Sequence, residues 1–433
     1  MALLLAVLGT ALIVLCGTSV VLLSQYTSTL SSTDRAGSGG LAASPTPTGP
    51  HSPQPGDPPR VHAAWVRAQI DKVLEGQADA LLRGDEQGFL AVAAADDATV
   101  REELTRRYRS LTALQVARWT SVVAAPPRQE TSADGRTEWV ARLSLRHCFA
   151  VPTCSESDLR VESRWVERDG RPYLVSLQTS GASQNGPRPW EVADLRVAAG
   201  QRAVVATTAK YASRLPGLLR EAERAAAVAD KYVIGAPPDR YYVYFAGAEE
   251  WKQWYSGNLP KWAAGFAVPV SARDIEVVLN AAQTPSSFID DIMRHELTHV
   301  AALRGARDKG NKWWLIEGLA EHAELHGQAV RQHDAVSTGA VRRFIRSGKW
   351  DGAVTVTEPG SNASAEEAAA RYGIAFLAVR RLVDRYGEAK VLSFVEAVVH
   401  DDKAPEVAAP EVFGVAWAAV QADCVSYIRS TAG

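Results

Sequence analysis

At 433 residues, 46% of them hydrophobic, the chain is long enough for two folded domains plus appendages. Its 47 basic and 49 acidic residues nearly cancel, so no strong field points to nucleic acid or an anionic surface as a partner. Residues 2–23 are apolar or small and uncharged, the first ionised side chains being Asp34 and Arg35. A run of about 20 such residues spans a bilayer. A cleaved signal peptide is the competing reading, but its apolar core is usually about 7 to 15 residues and it ends at a small-x-small site that is not in place here. Residues 1–30 are therefore expected to form an uncleaved transmembrane signal anchor. Cys16 does not suggest a lipoprotein, because Leu15 is bulky where lipid attachment wants a small residue. No Lys or Arg precedes the span, so its orientation is not legible from flanking charge.

Residues 31–60 are largely Ser, Thr, Gly, Ala and Pro, with Pro45, Pro47, Pro50, Pro53, Pro55, Pro58 and Pro59 among them. Such a segment cannot bury a core and is expected to be an extended, disordered tether. Further on, Cys148 and Cys154 bracket five residues between two strand-like runs, a spacing that a hairpin could close with a disulfide; two reduced, buried thiols are the alternative. A disulfide would imply an oxidising compartment. It agrees with a single-pass protein of the cell membrane whose soluble part faces away from the cytoplasm. Cys424 is left over.

Residues 61–185 form a unit by pattern. Helices are expected at 63–82, 85–94 and 101–111, followed by strands at 114–123, 136–148, 158–168 and 171–178. The turn Asp169-Gly170 between the last two is a strong hairpin signal. Helices first and an antiparallel sheet second is an α+β order. That order weakly resembles the cystatin-like cone of nuclear-transport-factor-2-like domains. No catalytic dyad stands out, so an accessory role in packing, partner binding or gating is expected.

The Gly, Ser, Asn and Pro of 181–189 mark a boundary, and residues 190–433 read as a second domain. Strands are expected at 192–197 and 203–207, a long helix at 209–230, a Tyr-rich strand at 240–245 and a helix at 249–255. Two strands, 263–270 and 274–279, lead into a helix that Ser287 and Asp290 would cap and Gly305 would end.

That helix carries Arg294-His295-Glu296-Leu297-Thr298-His299-Val300. Histidines four residues apart lie on one helical face, one turn apart, as a zinc ion needs from a single helix. Glu296 sits about 100° round from His295, where its carboxylate can reach a water beside the ion. The next stretch, Trp313-Trp314-Leu315-Ile316-Glu317-Gly318-Leu319-Ala320-Glu321-His322, reads as a second helix and supplies a carboxylate. Together the two resemble the gluzincin metallopeptidases, the thermolysin-like and aminopeptidase N-like group, and most closely the peptidase MA-like domains of bacterial envelope proteins. The resemblance implies Glu317 as third zinc ligand, 17 residues lying between it and His299. It implies Glu321, one turn on, as acceptor for a ligand imidazole. Glu324 and His322 read as ordinary surface residues, and His322 and His326 rank below Glu317 as ligands because they belong to no matching motif. A metzincin would need Gly at position 302 and His at 305; the chain has Ala302 and Gly305.

The resemblance extends to the approaches of the site. In gluzincins an edge strand about 25 to 30 residues before the first motif pairs with the substrate backbone, a form of β-augmentation. Gly265, Phe266 and Ala267 hold that place, and no Glu is there to bind a substrate amino terminus, which favours an endopeptidase. A looser stretch reaches 362. A buried helix follows at 365–385, capped by Ser364 and Glu367 and ended by Gly387. Near its start Tyr372 matches the oxyanion-stabilising tyrosine of aminopeptidase N-like enzymes, while a packing role is equally compatible with its position. Two more helices, 389–399 and 410–429, are expected to complete a helical C-terminal lobe beside a mixed sheet. The function implied is a membrane-anchored zinc metallopeptidase acting on a peptide or protein, with Glu296 as general base. An idle, peptidase-like binding or scaffolding module and a metal-dependent hydrolase of non-peptide bonds are the rival readings. The abundance of Ala, and of Arg over Lys, suggests a GC-rich bacterial genome.

Overall fold

The structure, a computed structural model, describes residues 50–149, 156–256, 263–271, 273–306, 312–326, 331–360 and 363–432, with backbone only for 331–337. The expected anchor at 1–30, most of the tether, Cys16 and Cys154 lie outside them. No helix among the described residues is long and apolar enough to cross a membrane. The described residues divide into two compact units, one running to Ala193 without the 151–155 segment and one from Asp194 onward.

The N-terminal unit has the anticipated order. Helices α1 (Pro59–Leu82), α2 (Glu86–Leu90) and α3 (Ala98–Ala113) precede strands β1 (Val116–Val123), β2 (Arg128–Thr131), β3 (Thr137–Phe149), β4 (Ser157–Arg168) and β5 (Arg171–Leu177). The sheet is antiparallel in the order β1-β3-β4-β5, with β2 also on β3. Alternation sorts its faces: Trp119, Ser121 and Val123 of β1 turn inward while Val122 stays out. The β4–β5 hairpin closes through Asp169 and Gly170, both at positive φ, as a two-residue turn compatible with strand twist requires. The second helix is shorter than expected, and β2 is a strand that its polar sequence Arg-Gln-Glu-Thr concealed. The unit ends later than 185 because α4 (Pro189–Val192) lays Trp190 into its core, edge-on to Trp119 and His147. Cys148 is disulfide-bonded.

The C-terminal unit starts with β6 (Leu195–Ala199) and β7 (Ala203–Thr208). The single helix expected at 209–230 is a 3₁₀ stretch, Ala209–Arg214, followed by α5 (Leu215–Ala229). Pro216 explains the break: it fits the first turn of a helix but not its interior. β8 (Tyr241–Ala246), the short α6 (Ala248–Gln253), β9 (Gly265–Pro269) and β10 (Ile275–Asn280) follow. The mixed sheet has the order β6-β7-β8-β10-β9, with β7, β8 and β10 parallel and both outer strands antiparallel. Thus β9 is an edge strand of the described sheet.

Helix α7 (Ile289–Leu303) packs with α5 on one sheet face through Ile292, Met293, Leu297 and Val300. Its cap differs from expectation: Phe288 is the N-cap, without a side-chain hydrogen bond, and Ser287 and Asp290 do not form the anticipated pair. The helical lobe comprises α8 (Trp313–Glu324), α9 (Arg331–Arg346), α10 (Ala365–Tyr386), α11 (Glu388–Val395), α12 (Pro405–Phe413) and α13 (Trp417–Ala432). Ser364 caps α10 by accepting from the Glu367 N–H at 3.2 Å. The helix α9 occupies part of the stretch read as loose. The last expected helix is two, α12 and α13, separated around Gly414. Between α8 and α10 the backbones close up: a Cβ on Gly318 would fall 2.4 Å from the Ala375 carbonyl oxygen. Only glycine allows that approach, and it fixes the turn of α8 that carries Glu317.

Candidate metal centre

Helix α7 has an apolar face on the sheet and a polar face turned toward α8. The polar face is as buried as the apolar one. His295 and Glu296 are 0% exposed and His299 7%, while Glu317, Glu321 and Glu324 of α8 are 1%, 4% and 3%. Burying so many ionisable groups is costly unless they satisfy one another or an ion.

The two imidazoles stand one turn apart, centroids 4.8 Å and planes 75° apart. Both aim Nε2 at one oxygen: Glu317 Oε2 lies 3.3 Å from His295 Nε2 and 3.4 Å from His299 Nε2. The three donor atoms lie within 4.8 Å of one another. A tetrahedral ion with ligands at about 2.0 to 2.2 Å requires donor–donor edges of roughly 3.4 Å, so this set fits a divalent metal. Three protein donors also leave the fourth position of such a polyhedron open. The buried group His295, His299 and Glu317 could therefore bind a metal ion. Burial works to raise the Glu317 carboxyl, but the His299 charge and the hydrogen bonds from both imidazoles outweigh it and hold the carboxyl at about 2. Glu317 is thus an anion with its lone pairs directed at the histidines.

The far side of His295 is equally built. Its Nδ1 lies 3.3 Å from Glu324 Oε2 and 3.7 Å from Glu321 Oε1. With a metal bound, a carboxylate there would hold the Nδ1–H tautomer and leave Nε2 as the ligand atom. Glu321, the expected acceptor, stands beside Nδ1 but farther from it than Glu324. Glu324 corrects an expectation: it is no solvated surface charge but the nearer acceptor, two turns beyond Glu317 on the same face. Its spacing of seven from Glu317 was the available signal. His322 is part-buried, 3.5 Å from Glu388, and His326 meets Lys231, so neither joins the triad.

Glu296 lies against the first residue of β9. A Cβ on Gly265 would sit 2.6 Å from Glu296 Oε1 and 2.9 Å from Leu279 Cδ2, so glycine at the head of the edge strand is a condition of the carboxylate's position. The next residue, Phe266, turns to the other sheet face and packs against Trp251 and Tyr255, with centroids 5.2 and 6.2 Å away. Tyr255, at φ 51, hydrogen-bonds Glu276 of β10. Ala267 alternates back and is half-buried. Tyr372 is 3% exposed on α10, its ring edge-on to Trp313 at 4.9 Å. Trp313 precedes Glu317 by one turn on α8.

One further acidic group was missed by sequence reasoning. Glu358 belongs to the segment between α9 and α10, solvent-exposed as a residue, yet partial desolvation of its carboxyl and the charge of Glu317 push it up to about 7. No local motif marks it; only the fold brings it near Glu317. No protein-family model matches the chain, and no curated protein matches it either.

Proposed function

We propose that the C-terminal unit is a zinc-dependent metallopeptidase of the gluzincin type, with endopeptidase activity. The observation that carries this reading is the convergence of His295 Nε2, His299 Nε2 and Glu317 Oε2 at 3.3 to 3.4 Å in a buried site. His295, His299 and Glu317 would hold the metal, which when bound lowers the pKa of water and polarises a carbonyl. Glu296 takes the proton from the attacking water and passes it to the leaving amine. Tyr372, packed on the Trp313 ring one turn ahead of Glu317, is the proposed donor to the developing oxyanion. An extended peptide would pair beside β9, the edge strand of the described sheet, with Gly265, Phe266 and Ala267 lining its path. The N-terminal unit, α+β in the order of a cystatin-like cone, is its accessory. The same reading puts the folded part outside the cytoplasm on an N-terminal anchor, which the disulfide of Cys148 supports.

The test compares wild type with Glu296→Gln. Both are expected to copurify with one equivalent of zinc, and only wild type should cleave a peptide library, in a manner abolished by chelator. Turnover retained in Glu296→Gln overturns the role of Glu296. A purified wild-type chain without metal, or with metal but no peptide hydrolysis, overturns the peptidase reading.

A further inference from the structure

The interior of the N-terminal unit holds a cavity between its helices and the inner face of its sheet. Most of the wall is apolar, Leu104, Leu143 and Leu145 included, but three polar side chains reach it: Arg107 of α3, and Trp119 and Ser121, two residues apart on the inward face of β1. All three are nine-tenths buried or more, at 2%, 6% and 6% exposed. Arg107 Nε, Trp119 Nε1 and Ser121 Oγ have no hydrogen-bond partner among the described residues. Gln77, also in the wall, is differently placed, its amide donating to the Phe89 carbonyl at 3.2 Å.

A purely structural cavity does not gather such groups. A buried donor left unmade is costly, and an arginine more so than a neutral group. Among the described residues Arg107 is the only charged one lining the cavity, and its ion pair there is to Glu103, which lies 2.9 Å from Nη2 and is 28% exposed. The Nε–H is left without an acceptor by that pair. A guanidinium N–H and an indole N–H can only donate, and a hydroxyl can do so too. The occupant is therefore an acceptor, and the guanidinium charge selects an anion over water. Size completes the choice: the cavity leaves about 20 Å³ for the centre of a water-sized sphere to move in, room for one or two such spheres.

We propose that the N-terminal unit binds a single monovalent anion of halide size in this cavity, held by Arg107, Trp119 and Ser121. The site ties α3 to β1 and makes the order of this unit depend on the anion.

The test uses the full chain and reads hydrogen–deuterium exchange in α3 and β1 peptides, in sodium chloride or bromide against sodium gluconate at matched ionic strength, with sodium formate as a further arm. Halide is expected to slow exchange there severalfold and saturably. Ser121→Ala should weaken the apparent affinity several-fold, and Arg107→Met should abolish the halide effect. Equal exchange in halide and gluconate overturns the proposal, as does protection by formate alone. Should Arg107→Met fail to fold, crystals of wild type soaked in bromide decide the matter. An anomalous peak within hydrogen-bond reach of Arg107 Nε and Ser121 Oγ supports the site, and its absence overturns it.

Discussion

The two units bury polar groups in different ways. In the C-terminal unit five ionisable side chains, His295, His299, Glu317, Glu321 and Glu324, share one interior between α7 and α8 and meet in short contacts, and Glu296 of α7 is buried as well. In the N-terminal unit the buried His147 stands among hydrophobic neighbours. His147, packed between Trp119 and Trp190, is pushed down to about 3 by burial and by the nearby Arg188 charge. In the first region opposite charges and hydrogen bonds overcome desolvation and hold Glu317 ionised; around His147 desolvation wins, and the imidazole is held neutral. An interior that keeps charges charged is fit for a metal and for proton transfer. Surroundings that neutralise a group, as those of His147 do, suit it to packing.

The sharpest way to break this comparison is at Gly265. In Gly265→Ala the new Cβ competes with the Glu296 carboxylate for one place. Peptide hydrolysis should fall by roughly two orders of magnitude, the cost of misplacing a catalytic group by about 1 Å, while metal content by elemental analysis stays at wild-type level. Full activity in this variant would detach Glu296 from its assigned role.

Next in size are the carboxylates behind His295. Glu324→Gln and Glu321→Gln are each expected to weaken metal affinity by roughly 10- to 100-fold, as losses of such partners do. Glu324 should show the larger effect, being the nearer at 3.3 Å. Competition titration against a chromogenic chelator measures both. A silent Glu324→Gln would return that residue to a packing role.

The contrasting region predicts an acid sensitivity. The His147 pKa is lowered from 6.5 in the unfolded chain to about 3 in the fold, so between those values the unfolded state binds the extra proton. Stability from this group is complete above pH 6.5 and drains as pH falls toward 3, by about 1.4 kcal/mol per pH unit. His147→Phe keeps an aromatic ring in the stack and should flatten that slope in denaturant titrations followed by N-terminal-unit probes. An unchanged slope would assign the acid sensitivity to other groups.

The smallest effect concerns a helix end. Ser364→Ala removes the acceptor of the Glu367 N–H and should cost about 1 kcal/mol in the C-terminal unit, with metal affinity unmoved. A coupled loss of metal would mean that α10 positions α8 more delicately than the Gly318 contact implies.

Local chemistry was legible wherever a residue acts on its neighbours in the chain. The Asp169-Gly170 turn, the Ser364 cap and the four-residue spacing of His295 and His299 all rest on interactions within a few residues, and each stands where the pattern placed it. Errors arose where a breaker sat inside an apolar pattern, as with Pro216 and Gly414, or where a strand carried no apolar alternation, as with β2. Periodicity alone does not see these. By itself the sequence determined the two-unit α+β order, the motif helix and the candidate metal-binding residues, because the types and spacings of those side chains are properties of one helix each. Only the tertiary structure decided that Glu317 closes on both imidazoles, that Glu324 rather than solvent faces His295, that Gly265 abuts Glu296, and that Glu358 feels the charge of Glu317. Those relations depend on how closely α8 approaches α7, α10 and the strand edge, distances set by packing between segments far apart in the chain.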